Sequence, residues 1–385
     1  MKNIVILATG GTIAGAGEQG KDIGYKSGSI KAQTLIDAIP ELKNVANICV
    51  EQFCNINSDD ITSEIWIALA KRIQELLQRE DVDGIVIMHG TDTMEETAFF
   101  LSLTLGGSAP SAVGNDAKPV IMTGSMRPAT AAEPDGPANL LFAVKSAVSC
   151  SPHELSCPPE MSSRPDCHLG FIFFDHLALQ RLRGHDPRMG TGSPSRYADN
   201  AATQESVILE PKAIGSSAVY VAFTGKLMNA RSVQKIHAND LDAFAEIPAS
   251  CHPGLVPGSP SCSAFDVSSL HSLPRVSVLY FNADADAELV RFAAERSAGL
   301  VLAGAGAGEF SRAWADAIAD AVAEKNIPVV ISTRINRGRI VPEQLLVPGT
   351  IAAYDLPPAK AAVLLRLALT VTNNLAEIQE MFSSQ

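Results

Sequence analysis

Five short stretches of this chain place reactive side chains directly beside apolar runs. "NIVILATGGT" ends with Thr9 and Thr12, and "NINSDDIT" carries Ser58, Asp59 and Asp60. "GIVIMHGTDTMEET" brings Thr91 and Asp92, "PVIMTGSMRP" brings Ser125, and "AVYVAFTGKLMNARSVQKIHAND" brings Lys235. Hydroxyls, carboxylates and a lysine are the parts for nucleophilic attack on a carbonyl: a hydroxyl attacks, a base takes its proton, and fixed N–H groups receive the developing oxyanion. In open α/β sheets such residues gather where ligands bind, at the carboxyl ends of the strands.

Each stretch also has a plainer reading. The glycines of "TGGT" suit a tight strand-to-helix turn. Thr93 and Glu96 fit a capping box, which leaves Thr91 and Asp92 unused. Lys235 alone reads as a surface lysine, and His89 as a packed strand-end residue. Other chemistries fit worse: "GGTIAG" lacks the GxGxxG spacing of a dinucleotide site, and no serine sits in a GxSxG elbow.

The elements that must position these residues recur along the chain. Continuous apolar runs at 3–8, 84–90, 119–124, 218–223, 276–281, 299–304 and 328–333 read as strands buried on both faces. Three- and four-residue apolar spacing in 63–80, 288–297 and 313–326 reads as helix. The alternation predicts an α/β fold with a mostly parallel sheet flanked by helices, followed by a smaller C-terminal α/β domain. The expected layout is 1–250 as the first domain, 251–274 as a linker and 275–385 as the second. Residues 150–211 and 251–262, rich in Pro, Ser, Gly and Cys, interrupt this order and read as insertions expected to form loops or disorder. "HLGFIFFDHLAL" (168–179) is apolar enough to pack against the body.

Composition excludes several classes. The chain has 385 residues, 46% hydrophobic and 19% charged, with a net charge of −12. That charge argues against nucleic acid or an anionic membrane surface as partner. No apolar run reaches the roughly 18–20 residues that span a bilayer. "MKNIVILATGG" reads as a first strand of a cytoplasmic protein. Seven cysteines with no CxxC pair point to free thiols, with no metal site or cofactor expected.

Two signatures, "ILATGGTIAG" (6–15) and "HGTDTMEETAFFL" (89–101), resemble the bacterial L-asparaginase family, the type related to tetrameric asparaginases and glutaminase-asparaginases. "EQFCNINSDDIT", "GSMRPAT", "DGPANL", "FDVSSLHSLPRV" and "KAAVLLRLALT" agree with it. The resemblance covers the chain apart from about 150–211 and 249–264.

It implies hydrolysis of L-asparagine to L-aspartate and ammonia, with L-glutamine as a secondary substrate. Thr12 would be the nucleophile that forms an acyl-enzyme. Tyr25 would close over it in a lid that holds five glycines between residues 15 and 28. Thr91, Asp92 and Lys235 would form a second hydroxyl–acid–base cluster. Ser58 and Asp59 would hold the amino acid's α-carboxylate and α-amino group, and Ser125 would offer a backbone carbonyl to the leaving nitrogen. A neighbouring subunit would supply Glu309, where the family has an Asn, and Glu343, in a homotetramer with sites at dimer interfaces. The long insertion precedes the strand leading to Lys235. The competing expectation is therefore an amino-acid-binding homologue whose catalysis the insertion has disabled.

Overall fold

The computed structural model describes residues 1–21, 24, 26–105, 118–149, 219–247 and 265–385. The chain divides into two compact units, Met1–Pro152 with Gly215–Gln385 and His153–Ile214. The second unit, with the readings made for 150–211 and 251–262, falls outside the described residues.

In the first unit, strands β1 (Asn3–Gly10), β2 (Asn47–Ile56), β3 (Gly84–Met88), β4 (Val120–Thr123), β5 (Val219–Phe223) and β6 (Lys226–Asn229) form a sheet in the order β2-β1-β3-β4-β5-β6. All neighbours are parallel except β5 and β6, which form an antiparallel hairpin. β7 (Val233–Lys235) and β8 (Phe244–Glu246) make a separate two-stranded antiparallel ribbon. A second parallel sheet holds β9 (Val276–Tyr280), β10 (Gly299–Gly304), β11 (Val329–Thr333) and β12 (Ile351–Ala352) in the order β12-β11-β10-β9.

The described helices are α1 (Ala32–Asp37), α2 (Leu42–Val45), α3 (Ser63–Leu77), α4 (Met94–Leu105), α5 (Gly136–Ser149), α6 (Glu288–Ala294), α7 (Arg312–Lys325), α8 (Pro358–Ala368) and α9 (Leu375–Ser383). The α/β class and mostly parallel sheets expected from the apolar runs are present, and each run contains a strand.

Period-two alternation sorts the first sheet into two cores. Ile4, Ile6, Val86, Met88 and Ile121 face Leu140, Ala143 and Val144 of α5 on one side. Val5, Leu7, Ile85, Ile87 and Met122 face Trp66, Leu69 and Ile73 of α3 and Phe99 and Phe100 of α4 on the other. Trp66 stacks on Phe100 with centroids 5.3 Å apart, and its indole N–H donates to Thr97 Oγ1 at 2.8 Å. This second core continues into α8 and the inner face of the second sheet through Val301, Val330, Leu364 and Leu365. Both faces of the first sheet are therefore covered, which leaves its carboxyl edge as the place where polar side chains converge.

α5 ends at Ser149, and the next described element is β5 from Val219. Since α5 returns from the carboxyl end of β4, and β5 runs parallel to β4, both junctions lie at the amino edge of the sheet.

Candidate active site

Four segments meet at the carboxyl edge of the first sheet, and glycines set how closely they approach. Gly10 and Gly11 take φ of 110° and 80°, in the left-handed half of backbone space that side chains resist. The Gly11 N–H donates to Ile56 O at 3.0 Å. A Cβ on Gly11 would sit 2.5 Å from both Cα and N of Gly90, so the ends of β1 and β3 touch backbone to backbone. Thr12 and Thr91 are each the next residue after that contact. Thr12 opens a one-turn 3-10 helix, Thr12–Ala14, and is buried, as is Thr91. The Thr9 hydroxyl donates to Met88 O at 3.0 Å and ties the two strands just below.

Ser58 joins the same point. It is buried, and a Cβ on Gly90 would lie 2.7 Å from its Oγ. The Thr93 hydroxyl donates to Ser58 O at 2.9 Å, so that hydroxyl serves a cross-segment tie rather than the expected capping box. Asp59, next along, is exposed and accepts from Asn57 Nδ2 at 2.9 Å. His89 is fully buried, and its Nδ1–H donates to Gly90 O at 2.7 Å. Burial pushes its pKa down to about 4, so it stays neutral and serves packing, as read from its position.

The segment after β4 is pinned by carboxylate and amide. Asp135 accepts from the backbone N–H groups of Met126 and Arg127, both at 2.9 Å. Asn139 donates to Gly124 O at 3.0 Å and accepts from Thr224 N at 3.0 Å. Ser125, fully buried, donates its hydroxyl to Arg127 O at 2.8 Å.

The glycine-containing segment after Thr12 returns on itself. Ala16 and Lys26 exchange N–H···O bonds of 3.0 and 2.9 Å, and the Gly28 N–H comes back to Gly11 O at 3.2 Å. Gly17 N reaches Thr130 Oγ1 at 3.0 Å and Gly20 N reaches Thr130 O at 2.8 Å, so this loop rests on the segment that follows Ser125. Tyr25 lies outside the described residues.

Lys235 closes the cluster from β7. Its Nζ lies 3.0 Å from Thr91 Oγ1 and 2.5 Å from Asp92 Oδ1. Its side chain is 14% exposed against 58% for Asp92, so the ammonium is sheltered and the carboxylate faces outward. Its backbone N–H donates to Glu95 Oε2 at 2.5 Å. Sequence reading did not single out Glu95. The signal was the acidic pair in "TMEET", of which only Glu96 had been given a use.

Glu309 and Glu343 lie in loops of the second domain, the part expected to serve a neighbouring subunit's site. Glu309 pairs backbone to backbone with Ala305 in the loop after β10, and Glu343 lies in the 3-10 turn Pro342–Gln344. The first sheet's edge thus gathers Thr12, Ser58, Thr91, Asp92 and Lys235.

The family model described as "Asparaginase, N-terminal" matches residues 3–155, and "Glutaminase/Asparaginase C-terminal domain" matches residues 275–382. "L-asparaginase 2" of Bacillus subtilis (strain 168) is 36% identical over 387 aligned positions, covering 100% of this chain and 86% of the relative. "Probable L-asparaginase periplasmic" of Haemophilus influenzae is 34% identical, covering 99% of this chain and 93% of the relative. A crystal structure of a probable cytoplasmic L-asparaginase from Campylobacter jejuni aligns over 100% of both chains, with a TM-score of 0.72 and 32% identity. Both halves of the chain, and its length as a whole, match the same group, and the chain belongs to the asparaginase family.

Proposed function

We propose that this chain is an L-asparagine amidohydrolase that works through a Thr12 acyl-enzyme, with L-glutamine as a secondary substrate. One observation carries the reading: Lys235 Nζ is within hydrogen-bond reach of Thr91 Oγ1 and Asp92 Oδ1, one residue past the point where β3 touches the Gly11–Thr12 turn. A threonine hydroxyl attacks an amide only when something accepts its proton, and a hydroxyl–lysine–carboxylate chain is such an acceptor.

In this reading Thr12 Oγ attacks the side-chain carbonyl carbon of asparagine, and its proton passes into the Thr91–Lys235–Asp92 chain. As the tetrahedral intermediate collapses, the chain returns that proton to the amide nitrogen, which leaves as ammonia. Water then attacks the Thr12 ester by the reverse proton route, giving aspartate and free Thr12. Ser58 and Asp59 hold the zwitterionic end so that the amide stays in attack geometry. Ser125 offers its backbone carbonyl to the leaving nitrogen, and Tyr25 closes from the lid. The reading extends to a cytoplasmic homotetramer in which a neighbouring second domain, residues 275–385, brings Glu309 and Glu343 to each site. Residues 1–250 form the catalytic domain, and 251–274 link the two.

The test is ammonia release from L-asparagine by purified protein. Thr12→Ala and Thr91→Val should each lower kcat by about three orders of magnitude while the protein stays folded. Aspartate binding with no turnover in the unaltered chain would overturn the proposal.

A further inference from the structure

Lys235 stands on an element that cannot hold itself. β7 is three residues long and pairs with β8 alone among the described strands, and a lone two-stranded ribbon is marginal in water. Val233 and Phe244 anchor it in the core, with the Phe244 ring 4.9 Å from that of Phe223, and polar side chains from two helices fix its backbone.

From α4, Glu95 Oε2 accepts the Lys235 backbone N–H. From α8, beside the second sheet, Lys360 extends into the turn between β6 and β7. Its Nζ donates to Ala230 O at 2.9 Å, Arg231 O at 3.0 Å and Val233 O at 2.6 Å. An ammonium has three donors, and here three carbonyls take them all. The last acceptor is two residues before Lys235. Lys360 is fully buried, and burial pushes its amine down to about 7, with Glu95 opposing that shift. Glu95, Glu96, Arg231 and Asp355 are the charged groups that face it, and the Phe99 ring centroid lies 5.5 Å from Nζ. Arg231, inside the clamped turn, pairs with Asp355 at 2.7 Å.

Burying an ammonium is costly, and here three carbonyls that an apolar residue would leave without a donor offset that cost. What the ammonium adds is position. It fixes three backbone carbonyls within one turn of the residue whose side chain must meet Thr91. We infer that Glu95 and Lys360 are positioning residues for the reaction, clamping the β6–β7 segment so that Lys235 is held against Thr91 and Asp92. The inference rests on the proposed role of Lys235.

The experiment measures kcat and KM for L-asparagine, and thermal melting, in Glu95→Ala, Glu95→Gln, Lys360→Met and Lys235→Met, and in the double variants with Lys235→Met. Misplacing a reacting group by about 1 Å costs on the order of 100-fold in rate. Glu95→Ala and Lys360→Met should therefore lower kcat by about that factor, with KM within about threefold. Glu95→Gln keeps an acceptor for the Lys235 N–H and should return kcat to within about threefold of the unaltered chain. In the Lys235→Met background, neither clamp variant should lower kcat further, because the clamp acts only through Lys235.

A folded Glu95→Ala with unaltered kcat, equal losses in Glu95→Ala and Glu95→Gln, or additive losses with Lys235→Met would each overturn the clamp. Should Lys360→Met fail to fold, the Glu95 pair and its double variants decide the matter. Unaltered turnover in Lys235→Met itself would overturn the role of that lysine, a result distinct from loss of the clamp alone.

Discussion

The Thr12 turn and the Lys235 ribbon contribute to one site but are held by different means. The turn is locked by backbone. Gly10 and Gly11 sit at positive φ, the Gly11 N–H is tied to Ile56, and β1 and β3 touch at Gly11 and Gly90. The ribbon rests in the core through Val233 and Phe244, but its backbone is set by polar side chains, namely Glu95, Lys360 and the Arg231–Asp355 pair. A backbone lock is part of the fold, so damaging it should unsettle fold and chemistry together. A side-chain lock is separable, so damaging it should cost chemistry first.

Gly11→Ala tests the first half and should have the largest effect. The methyl would meet Gly90 at 2.5 Å on a backbone that resists a side chain. We expect a loss of about 3 kcal/mol of stability together with near-complete loss of turnover, read by melting and ammonia release. Full activity with lowered melting would break the comparison from this side. Arg231→Gln tests the second half. It should lower kcat by about tenfold, while melting falls by only about 2–4 °C, the mark of roughly 1 kcal/mol. A melting loss as large as that of Gly11→Ala would mean the ribbon is structural.

A smaller effect separates the clamp carboxylate from its neighbour. Glu96, beside Glu95, has its pKa raised to about 7, first by burial and then by the Glu95 charge, against Arg366 and Lys360. The folded chain therefore keeps a proton that the unfolded chain releases near 4.5. This carboxyl's contribution to stability is full below pH 4.5, is lost as pH rises toward about 7, and is flat above it. Glu96→Gln removes that dependence. Taking the melting-temperature difference between variant and unaltered chain at each pH, its value above pH 7 should exceed its value at pH 4.5. A difference constant across that window would show that Glu96 is not held protonated. The smallest effect is expected from excising residues 150–211, which should leave kcat within about threefold, because the excised residues end before Val219, whose carbonyl accepts the Ala230 N–H at 3.3 Å beside the clamped turn. Loss of activity would tie it to the ribbon.

The two regions also differ in how far sequence exposes them. β1, β3, β4 and β5 are continuous apolar runs because parallel strands are covered on both faces, and such runs are visible without partners. Thr12 and Thr91 follow them directly, so adjacency along the chain was enough to find them. β2 went unread because it lies at the sheet's edge, where "NICVEQFCNI" mixes exposed and half-buried positions. β7 and β8 are three residues each and carry no periodicity to read. Lys235 was visible as a reactive residue beyond the β5 run, but alone it reads as a surface lysine; its partnership with Thr91 came only through resemblance, since that meeting spans 144 residues. Lys360 lies in a plainly helical, apolar stretch, where a lysine reads as a solvated residue. What makes it otherwise is three carbonyls more than 120 residues away, which no local pattern announces.

The placement of the Ser149 and Val219 junctions has a consequence for how this chain can change. A parallel sheet has one rim where its loops do chemistry and another where they only turn the chain around. Sequence gained or lost at the second rim keeps clear of the Thr12 turn but not of the ribbon, since Val219 O accepts the Ala230 N–H at 3.3 Å beside the turn that Lys360 clamps, while the entropy of a longer loop grows only with the logarithm of its length. Cargo grafted there, whether a tag, a reporter or a foreign domain, would join the fold through the end of α5 and the start of β5, and any pull on Val219 would be felt at the turn beside Lys235.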